Sequence, residues 1–360
     1  MSKEVMVSKE VFKEVLVQGV AYNCDVSDSR YWGYYSICGL LMGLRTMYMS
    51  AKGIEPWGKV DQAEVTAWIQ RKEAAWEALE GEDFRALHIN GTTFDPFDVA
   101  FINRALREEG LVYGAGYGLF KKPSFFLAKL DASSVIQGCN VYSAGKELAR
   151  DLFWSPGQMQ GRDIFLRFEP LKMLLWDKYQ EAQAKNDRTL EYAFTEYGFT
   201  PGSALDGDFE ARFDELTRAY AGIVLDHEIG ESVEDVPEWG ELLMQADDKQ
   251  SEFFLRAVKD LIADTSDCGP IKRTIDEKKK GDLSFCIALI DRFRLKMYPE
   301  LRQAFDIFTG NEDWLLIDDA RRTVYARMLR LRDELVESYR ASKDQAAFKS
   351  KIAELRLRLG

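Results

Sequence analysis

Apolar side chains recur at intervals of three and four residues along most of the chain, which is the spacing that places them on one face of a helix. In the first third, this pattern predicts helices over 27–53, 61–80 and 95–110, the first two capped by Ser27 or Asp28 and by Asp61. Further along the chain it predicts helical segments at 145–154, 161–186, 188–197, 208–229, 237–264, 281–308, 313–340 and 344–359. We therefore expect a helical C-terminal half.

The pattern changes between Leu111 and Tyr142, where Val, Ile, Phe, Tyr and Gly replace the helical repeat. Apolar β-formers separated by turn residues predict two or three β-strands near 111–143. A shorter strand is predicted at the sequence FRALHING, because the Asn90-Gly91 pair favours a tight hairpin turn. The expected fold class is mainly α with a small β element, so that the first part of the chain is α+β.

The loop at 199–208 combines Gly, Pro, Ser and Asp and is the best candidate for a domain boundary. It predicts an α+β domain at 1–200 and a helical domain at 206–360. A chain of 360 residues is long enough for one large core or two medium ones, so this division is physically reasonable.

The formal net charge of −12 disfavours non-specific binding to nucleic acid or to anionic lipid. Residues 320–360 reverse this balance, with eleven Lys or Arg against five acids. The amphipathic helices at 313–340 and 344–359, the second capped by Asp344, are therefore expected to form a basic hairpin. Residues 313–359 could mediate self-association, bind a protein partner, or dock on the acidic remainder of the chain.

The five cysteines are scattered and include no C-x-x-C pair, which is typical of reduced thiols in a cytoplasmic protein. The first residues alternate between charged and apolar side chains, unlike a secretory signal peptide. The longest uncharged stretch, Tyr31 to Leu44, is too short to cross a bilayer. We expect a soluble cytoplasmic protein without a membrane segment.

The richest candidate chemistry lies in the acidic window 226–241, DHEIGESVEDVPEWGE, which holds seven carboxylates, one imidazole and no Lys or Arg. Unpaired carboxylates repel one another, so such a cluster either holds a cation or stays in solvent. His227 continues the apolar stripe of the preceding helix, and Glu231 follows one turn later on the same face. This spacing predicts two metal ligands, His227 and Glu231, with Glu228 as a catalytic base. Further carboxylates could come from Glu238, Glu241, Asp247 or Asp248.

An oxygen-rich site of this kind suits iron, manganese or magnesium better than zinc, because the zinc-protease string has a second histidine where Glu231 stands. The window therefore predicts a metal-dependent hydrolase or oxidoreductase. A purely structural interpretation stays open, in which Gly230 ends the helix and the acids at 234–241 favour the N-terminus of the next one. We expect the pKa of His227 to lie above that of a free histidine, because carboxylates surround it.

A second candidate lies between His88 and Leu130. Its order is a strand ending at His88, an Asn-Gly-Thr turn, a helix ending at Gly110, the glycines of GAGYG and the strand SFFLA. This order resembles the front half of an ADP-ribosyltransferase of the histidine–tyrosine–glutamate type. The resemblance implies that His88 holds the nicotinamide ribose of NAD and that Phe126 lies near the position of the family's stacking tyrosine. The sequence departs from the family where Ile89 and Asn90 split the His-Gly-Thr string and where SFFLA lacks the tyrosine.

Three functional hypotheses follow. The leading one is helix-mediated assembly or binding, with the basic hairpin as the contact surface. The second is a metal-dependent enzyme that uses His227, Glu228 and Glu231. The third is a nucleotide-using transferase with His88 as a catalytic residue.

Overall fold

The computed structural model describes residues 9–153, 155–185, 187–200, 202–246, 248–341 and 345–358. Its helices are α1 (Lys9–Tyr31), α2 (Ile37–Lys52), α3 (Gln62–Leu79), α4 (Val99–Leu106), α5 (Phe168–Lys185), α6 (Arg188–Glu196), α7 (Gly207–Glu234), α8 (Glu238–Gln245), α9 (Lys249–Thr265), α10 (Pro270–Glu277), α11 (Lys280–Ala288), α12 (Arg292–Met297), α13 (Pro299–Asn311), α14 (Trp314–Ala341) and α15 (Gln345–Leu357). Its strands are β1 (Leu87–Ile89), β2 (Thr92–Phe94), β3 (Leu111–Tyr117), β4 (Pro123–Ile136), β5 (Cys139–Arg150), β6 (Gly157–Gln160) and β7 (Asp163–Arg167). The predicted fold class, mainly α with a β element and a helical C-terminal half, is confirmed. Among these described helices, none combines the length and the apolar character needed to cross a bilayer.

The chain divides into two compact units, Met1–Trp176 and Asp177–Gly360, and the division falls inside α5. The loop at 199–208, which the sequence indicates as a boundary, lies within the second unit. The reason is that Phe199 is buried and its ring packs against those of Phe209 and Phe213. Because α6 also packs on α11, the chain before this loop already contributes to the second core.

The first unit is built on a five-stranded sheet with the strand order β3-β4-β5-β7-β6. Its neighbouring strands are antiparallel except for β5 and β7, which run parallel. A separate hairpin, β1–β2, pairs His88 with Thr93 and turns through Asn90 and Gly91, both of which have positive φ angles. The Asn-Gly turn predicted from the sequence is therefore confirmed.

Two predicted helices are wrong in the sheet region. Residues 145–150 are the end of β5, and the segment predicted to begin at 161 starts with β7 and becomes helical only at Phe168. The strand pattern is hidden because β5 turns charged side chains, Glu147 and Arg150, towards the interior. Sequence patterns assume that interior positions are apolar, so a strand with buried charges does not show the expected alternation.

The helix predicted over 27–53 is divided in two. α1 ends at Tyr31, and α2 begins after Ser36, whose side chain accepts a hydrogen bond from the Gly39 N–H at 3.1 Å. Ser27 and Asp28, predicted as caps, lie fully buried inside α1. Their polar groups have tertiary partners instead: Asp28, for example, accepts a hydrogen bond from the Leu152 N–H at 3.0 Å. Ser27 and Asp28 belong to residue types that often cap helices, but here they make contacts in the interior.

In the second unit, the apolar faces of α14 and α15 lie in the main core rather than on the surface. The side chains concerned are Ile317, Val324, Met328, Leu331, Leu335, Phe348, Ile352 and Leu355. Several basic side chains pair with acids of the same unit: Arg327 with Glu300 at 2.7 Å, and Arg340 with Glu238. Of the alternatives for residues 313–359, docking on acidic helices of the same chain is therefore seen directly. Asp344, the predicted cap, lies outside the described residues.

Candidate functional site

The acidic window covers the last turns of α7, the residues that follow it and the start of α8, and α7 packs against α9. Gly230 does not end α7, which continues to Glu234. A Cβ atom at Gly230 would lie 2.7 Å from the carbonyl oxygen of Ala263, so only glycine allows the two backbones to approach this closely. As a result, the polar face of α7 directly meets the polar face of α9.

The structure brings the two predicted ligands together. The Nε2 atom of His227 lies 3.6 Å from Oε1 of Glu231, and its Nδ1 atom lies 2.7 Å from Oδ1 of Asp264. The imidazole is half-buried, with 22% of the side chain exposed. Burial lowers the pKa of His227, but Asp264 and Glu231 outweigh it and raise the pKa well above its ordinary value, as the sequence predicts.

A third potential ligand comes from α9. One atom each of His227, Glu231 and Asp260 can be chosen so that all three lie within 4.8 Å of one another, a grouping that could hold a metal ion. Asp260 and Asp264 are one helical turn apart on α9, as His227 and Glu231 are on α7. Sequence reasoning missed both aspartates, although two acids four residues apart in the apolar stretch AVKDLIAD were a usable signal.

Two cations lie beside these carboxylates. Lys259 is ion-paired with Glu231, and the Arg294 guanidinium lies 3.4 Å from both Asp260 and Asp264. Burial raises the pKa of Glu231, but its contacts with His227 and Lys259 outweigh this and bring the value down to about 2. Burial raises the pKa of Asp260 to about 6, against the opposing effect of Arg294. The cluster is therefore only partly neutralised by its own basic side chains.

Glu228, the predicted base, is buried next to this cluster. Burial raises its pKa to about 7, and the negative charge of Glu231 adds to the effect. A carboxyl group with a pKa near neutrality can both accept and donate a proton at physiological pH, which is what general acid–base chemistry requires.

Four other acids of the window, and Asp248 beyond it, have structural partners, whereas Asp235 is exposed. Asp226 pairs with Arg273, Glu234 accepts a hydrogen bond from the Tyr325 hydroxyl, Glu238 pairs with Arg340, Glu241 accepts from the Tyr339 hydroxyl, and Asp248 caps α9. Asp247 lies outside the described residues. The candidate site is therefore limited to His227, Glu228 and Glu231 on α7, with Asp260 and Asp264 on α9. We call these five residues the α7–α9 cluster.

His88 belongs to the first unit and is not part of this cluster. It is exposed on β1, and its Nδ1 atom lies 2.9 Å from Oγ1 of Thr93. Phe126 lies on β4 of the five-stranded sheet and is fully buried, with the Arg167 guanidinium 4.4 Å from its ring centroid. In this structure, the ring of Phe126 is enclosed by the core and does not present a face for stacking.

A second buried charge cluster, in the first unit, was not predicted. Lys122 lies 3.1 Å from Asp28 and 3.2 Å from Asp151, and all three side chains are almost completely buried. Burial raises the pKa of Asp28 to about 7, with Asp151 adding to the rise and Lys122 opposing it. One ammonium group thus faces two carboxylates, which favours a proton on one of them.

Comparisons with known proteins identify the family of this chain but give no activity for it. Neither the curated proteins nor the solved structures include a match to this chain. Residues 15–167 match the N-terminal domain, and residues 172–356 match the C-terminal domain, of a family of unknown function, DUF6866. The two matched segments meet near the start of α5, close to the division between the two compact units. The chain therefore belongs to the DUF6866 family and carries both of its domains.

Proposed function

We propose that the second unit binds a divalent cation through His227, Glu231 and Asp260, and that the protein is a metal-dependent hydrolase. The observation that carries this proposal is the contact between Asp264 and His227. With Nδ1 directed at a carboxylate, Nε2 is oriented towards Glu231, and a cation that replaced the proton on Nε2 would be shared by these two side chains.

A carboxylate behind a histidine is the usual support of a metal-binding imidazole. It fixes the tautomer and the ring orientation, and it makes the ligating nitrogen more basic. Here the supporting carboxylate, Asp264, and one proposed ligand, Asp260, both lie on α9. The other two proposed ligands lie on α7. Regular helices that are tightly packed at Gly230 hold such a geometry more firmly than loops do.

The donor set indicates the kind of ion. One imidazole nitrogen and two carboxylate oxygens form a hard, oxygen-rich set, which suits manganese, iron(II) or magnesium. These ligands leave coordination positions for water, as catalytic metal sites do. A bound cation would lower the pKa of its water, and Glu228, whose pKa is about 7, would serve as the proton acceptor. Hydrolysis is the reaction that these parts support.

The first test is direct titration of the untagged full chain, stripped with a chelator, with Mn²⁺, Mg²⁺, Fe²⁺ under anaerobic conditions, and Zn²⁺ by calorimetry. We expect one site per chain, lost in His227→Gln and Asp260→Asn. The chain offers a matched control in His88→Gln, which removes the other histidine and should leave the titration unchanged. Equal titrations for His227→Gln and the parent protein would overturn the proposal.

The second test separates binding from chemistry. A panel of chromogenic phosphate esters, carboxylate esters and glycosides would be screened with the Mn²⁺-loaded protein. Glu228→Gln should retain the cation but lose any cation-dependent turnover, since an amide cannot accept the proton. Turnover that persists in Glu228→Gln would remove this residue from the mechanism, while cation binding would be judged separately by calorimetry.

A second candidate function, helix-mediated assembly, is favoured by α2 rather than by the hairpin. The side chains of Ile37, Leu41 and Met42 on this helix are 79%, 47% and 57% exposed. Clustered exposed apolar side chains of this kind often mark contact surfaces. Light scattering should give a lower mass for Leu41→Glu than for the parent protein, and an unchanged mass would exclude α2 from assembly.

We also infer a cytoplasmic location, which the five free cysteines support.

A further inference from the structure

A groove of about 270 Å³ lies on the first unit, and none of its lining residues belongs to the proposed cation site. One wall is formed by α4 and the turn that follows it, which contribute Arg104 and Arg107. The other is formed by β5 and β7, which contribute Asn140 and Asp163. The size is at the lower end for ligand sites, so the groove suits a molecule of metabolite size.

The charged side chains that line this groove form no ion pair with any residue that the structure describes. Among the residues that the structure describes, neither Arg104 nor Arg107 has a carboxylate within ion-pair distance, although Arg104 lies 5.7 Å from the ring of Phe101. Since these arginines are three positions apart, they point to the same side of the chain. Across the groove, Asp163 accepts a hydrogen bond from the Asn140 amide at 2.7 Å and has no basic partner within the described ranges.

Tyr142, on β5, also lines the groove, and charged groups of both walls influence the pKa of its hydroxyl. Its ring stacks on Phe165, with 5.3 Å between centroids and 16° between planes, which fixes its position. Burial raises the pKa of the Tyr142 hydroxyl, Asp163 raises it further, and Arg107 lowers it. The positive and the negative wall are thus both close enough to act on one hydroxyl group.

We propose that this groove binds a small zwitterion whose acidic groups lie against Arg104 and Arg107 and whose ammonium group lies against Asp163. Two guanidinium groups match the planar geometry of a carboxylate or the oxygens of a phosphate. Two positive charges and one negative charge favour a ligand with two acidic groups and one ammonium group. Acidic amino acids and phosphorylated amines share this chemistry.

The probes are L-glutamate, O-phosphoserine and phosphoethanolamine, with glutarate and inorganic phosphate as anions that lack the ammonium group. Binding to the full chain would be followed by calorimetry and by ligand-observed NMR. We expect at least one zwitterion to bind. If L-glutamate binds, it should bind more tightly than glutarate, whereas phosphoserine or phosphoethanolamine binding tighter than phosphate indicates a phosphorylated amine. Failure of all three zwitterions, or tighter binding of the simple anions, overturns the proposal.

Single substitutions test which charged side chain of each wall contacts the ligand. Arg107→Gln should weaken binding of the best zwitterion by about tenfold, the size expected for one charge-assisted contact. Asp163→Asn should abolish the preference for the zwitterion over its ammonium-free analogue while keeping the bond with Asn140. Arg71→Gln, which removes another exposed arginine of the same unit, is the matched control and should bind like the parent. Equal affinities of Arg107→Gln and Arg71→Gln would place the ligand elsewhere and sink the assignment.

Discussion

The Nδ1 atom of His227 on α7 and the Oδ1 atom of Asp264 on α9 lie 2.7 Å apart. This contact joins two helices across the α7–α9 cluster and sets the direction in which the second ring nitrogen points. Because Glu231 lies 3.6 Å from that nitrogen, the contact can be tested by removing the charge of Asp264 and leaving its shape.

We predict that Asp264→Asn lowers the affinity for Mn²⁺ by roughly 10- to 100-fold, the usual effect of removing the carboxylate behind a metal-binding histidine. The asparagine has nearly the same shape, so far-UV circular dichroism should not change. Calorimetric titration gives the affinity, and Asp276→Asn, an exposed acid on α10, serves as the control. An affinity equal to that of the control would show that Asp264 does not support the site.

Replacing Lys259 should have the opposite effect on cation binding. Lys259 is ion-paired with Glu231, so it competes with a cation for that carboxylate. We predict that Lys259→Met binds Mn²⁺ about tenfold more tightly and is less stable than the parent when no cation is present, because Glu231 then has only His227 to offset its charge. Thermal unfolding with and without Mn²⁺ measures both effects. A smaller shift on adding Mn²⁺ than in the parent protein would contradict the proposed competition.

The stability of the first unit should depend on pH through Asp28. Its pKa is raised from 3.8 to about 7 in the folded chain, so the folded state binds this proton more tightly than the unfolded state. The contribution is therefore fully present below about pH 4 and is lost as the pH rises through 7. Asp28→Asn cannot titrate, so its free energy of unfolding should fall less between pH 4 and 7.

Urea unfolding at several pH values between 4 and 8 measures this difference. Asp83→Asn replaces a fully exposed acid of the same unit and should follow the pH dependence of the parent. Parallel curves for the parent and Asp28→Asn would mean that Asp28 stays ionised in the folded protein beside Lys122.

The close approach of α7 and α9 predicts a large cost for a single methyl group. Gly230→Ala places a Cβ atom against the Ala263 carbonyl oxygen and should lower the free energy of unfolding by roughly 1–3 kcal/mol. Gly240→Ala on α8 meets no atom within 4 Å and should be neutral or stabilise by up to about 1 kcal/mol. Chemical denaturation compares the two, and equal effects would rule out tight packing at Gly230.

The hairpin α14–α15 should behave as core. Ile352 is buried, so Ile352→Ala should cost about 2–5 kcal/mol of unfolding free energy. Leu357 on the same helix is 80% exposed, and Leu357→Ala should change stability by less than about 0.5 kcal/mol. If Ile352→Ala instead left stability unchanged and lowered the mass measured by light scattering, the hairpin would be a contact between chains.

Local signals made much of the helical structure predictable. Asp61 accepts hydrogen bonds from the N–H groups of Ala63 and Glu64, so the cap and the start of α3 could be read directly from the sequence. The same holds for the Asn90-Gly91 turn, where both residues adopt the positive φ angles that this pair favours. In each case the cause lies within a few residues of its effect.

The failures have tertiary causes. The sequence predicts a helix at the end of β5, from residue 145, because Glu147 stands where a strand pattern requires an apolar residue. Glu147 is buried and lies 2.6 Å from the Arg167 guanidinium. The sequence predicts only the α7 residues of the cluster, because no pattern close to Asp260 in the sequence indicates that it lies near His227. That proximity depends on the packing of α9 against α7, which Gly230 permits.

Helix α5 has a practical consequence for dissecting the protein. Met173 and Trp176 are buried in the first unit, whereas Tyr179, three residues on, packs its ring against Phe194 in the second. A recombinant first unit that ended at residue 167, where the matched N-terminal segment ends, would lack the buried side chains of Met173 and Trp176. Fragments meant for crystallisation or labelling should therefore each carry the whole of residues 168–185.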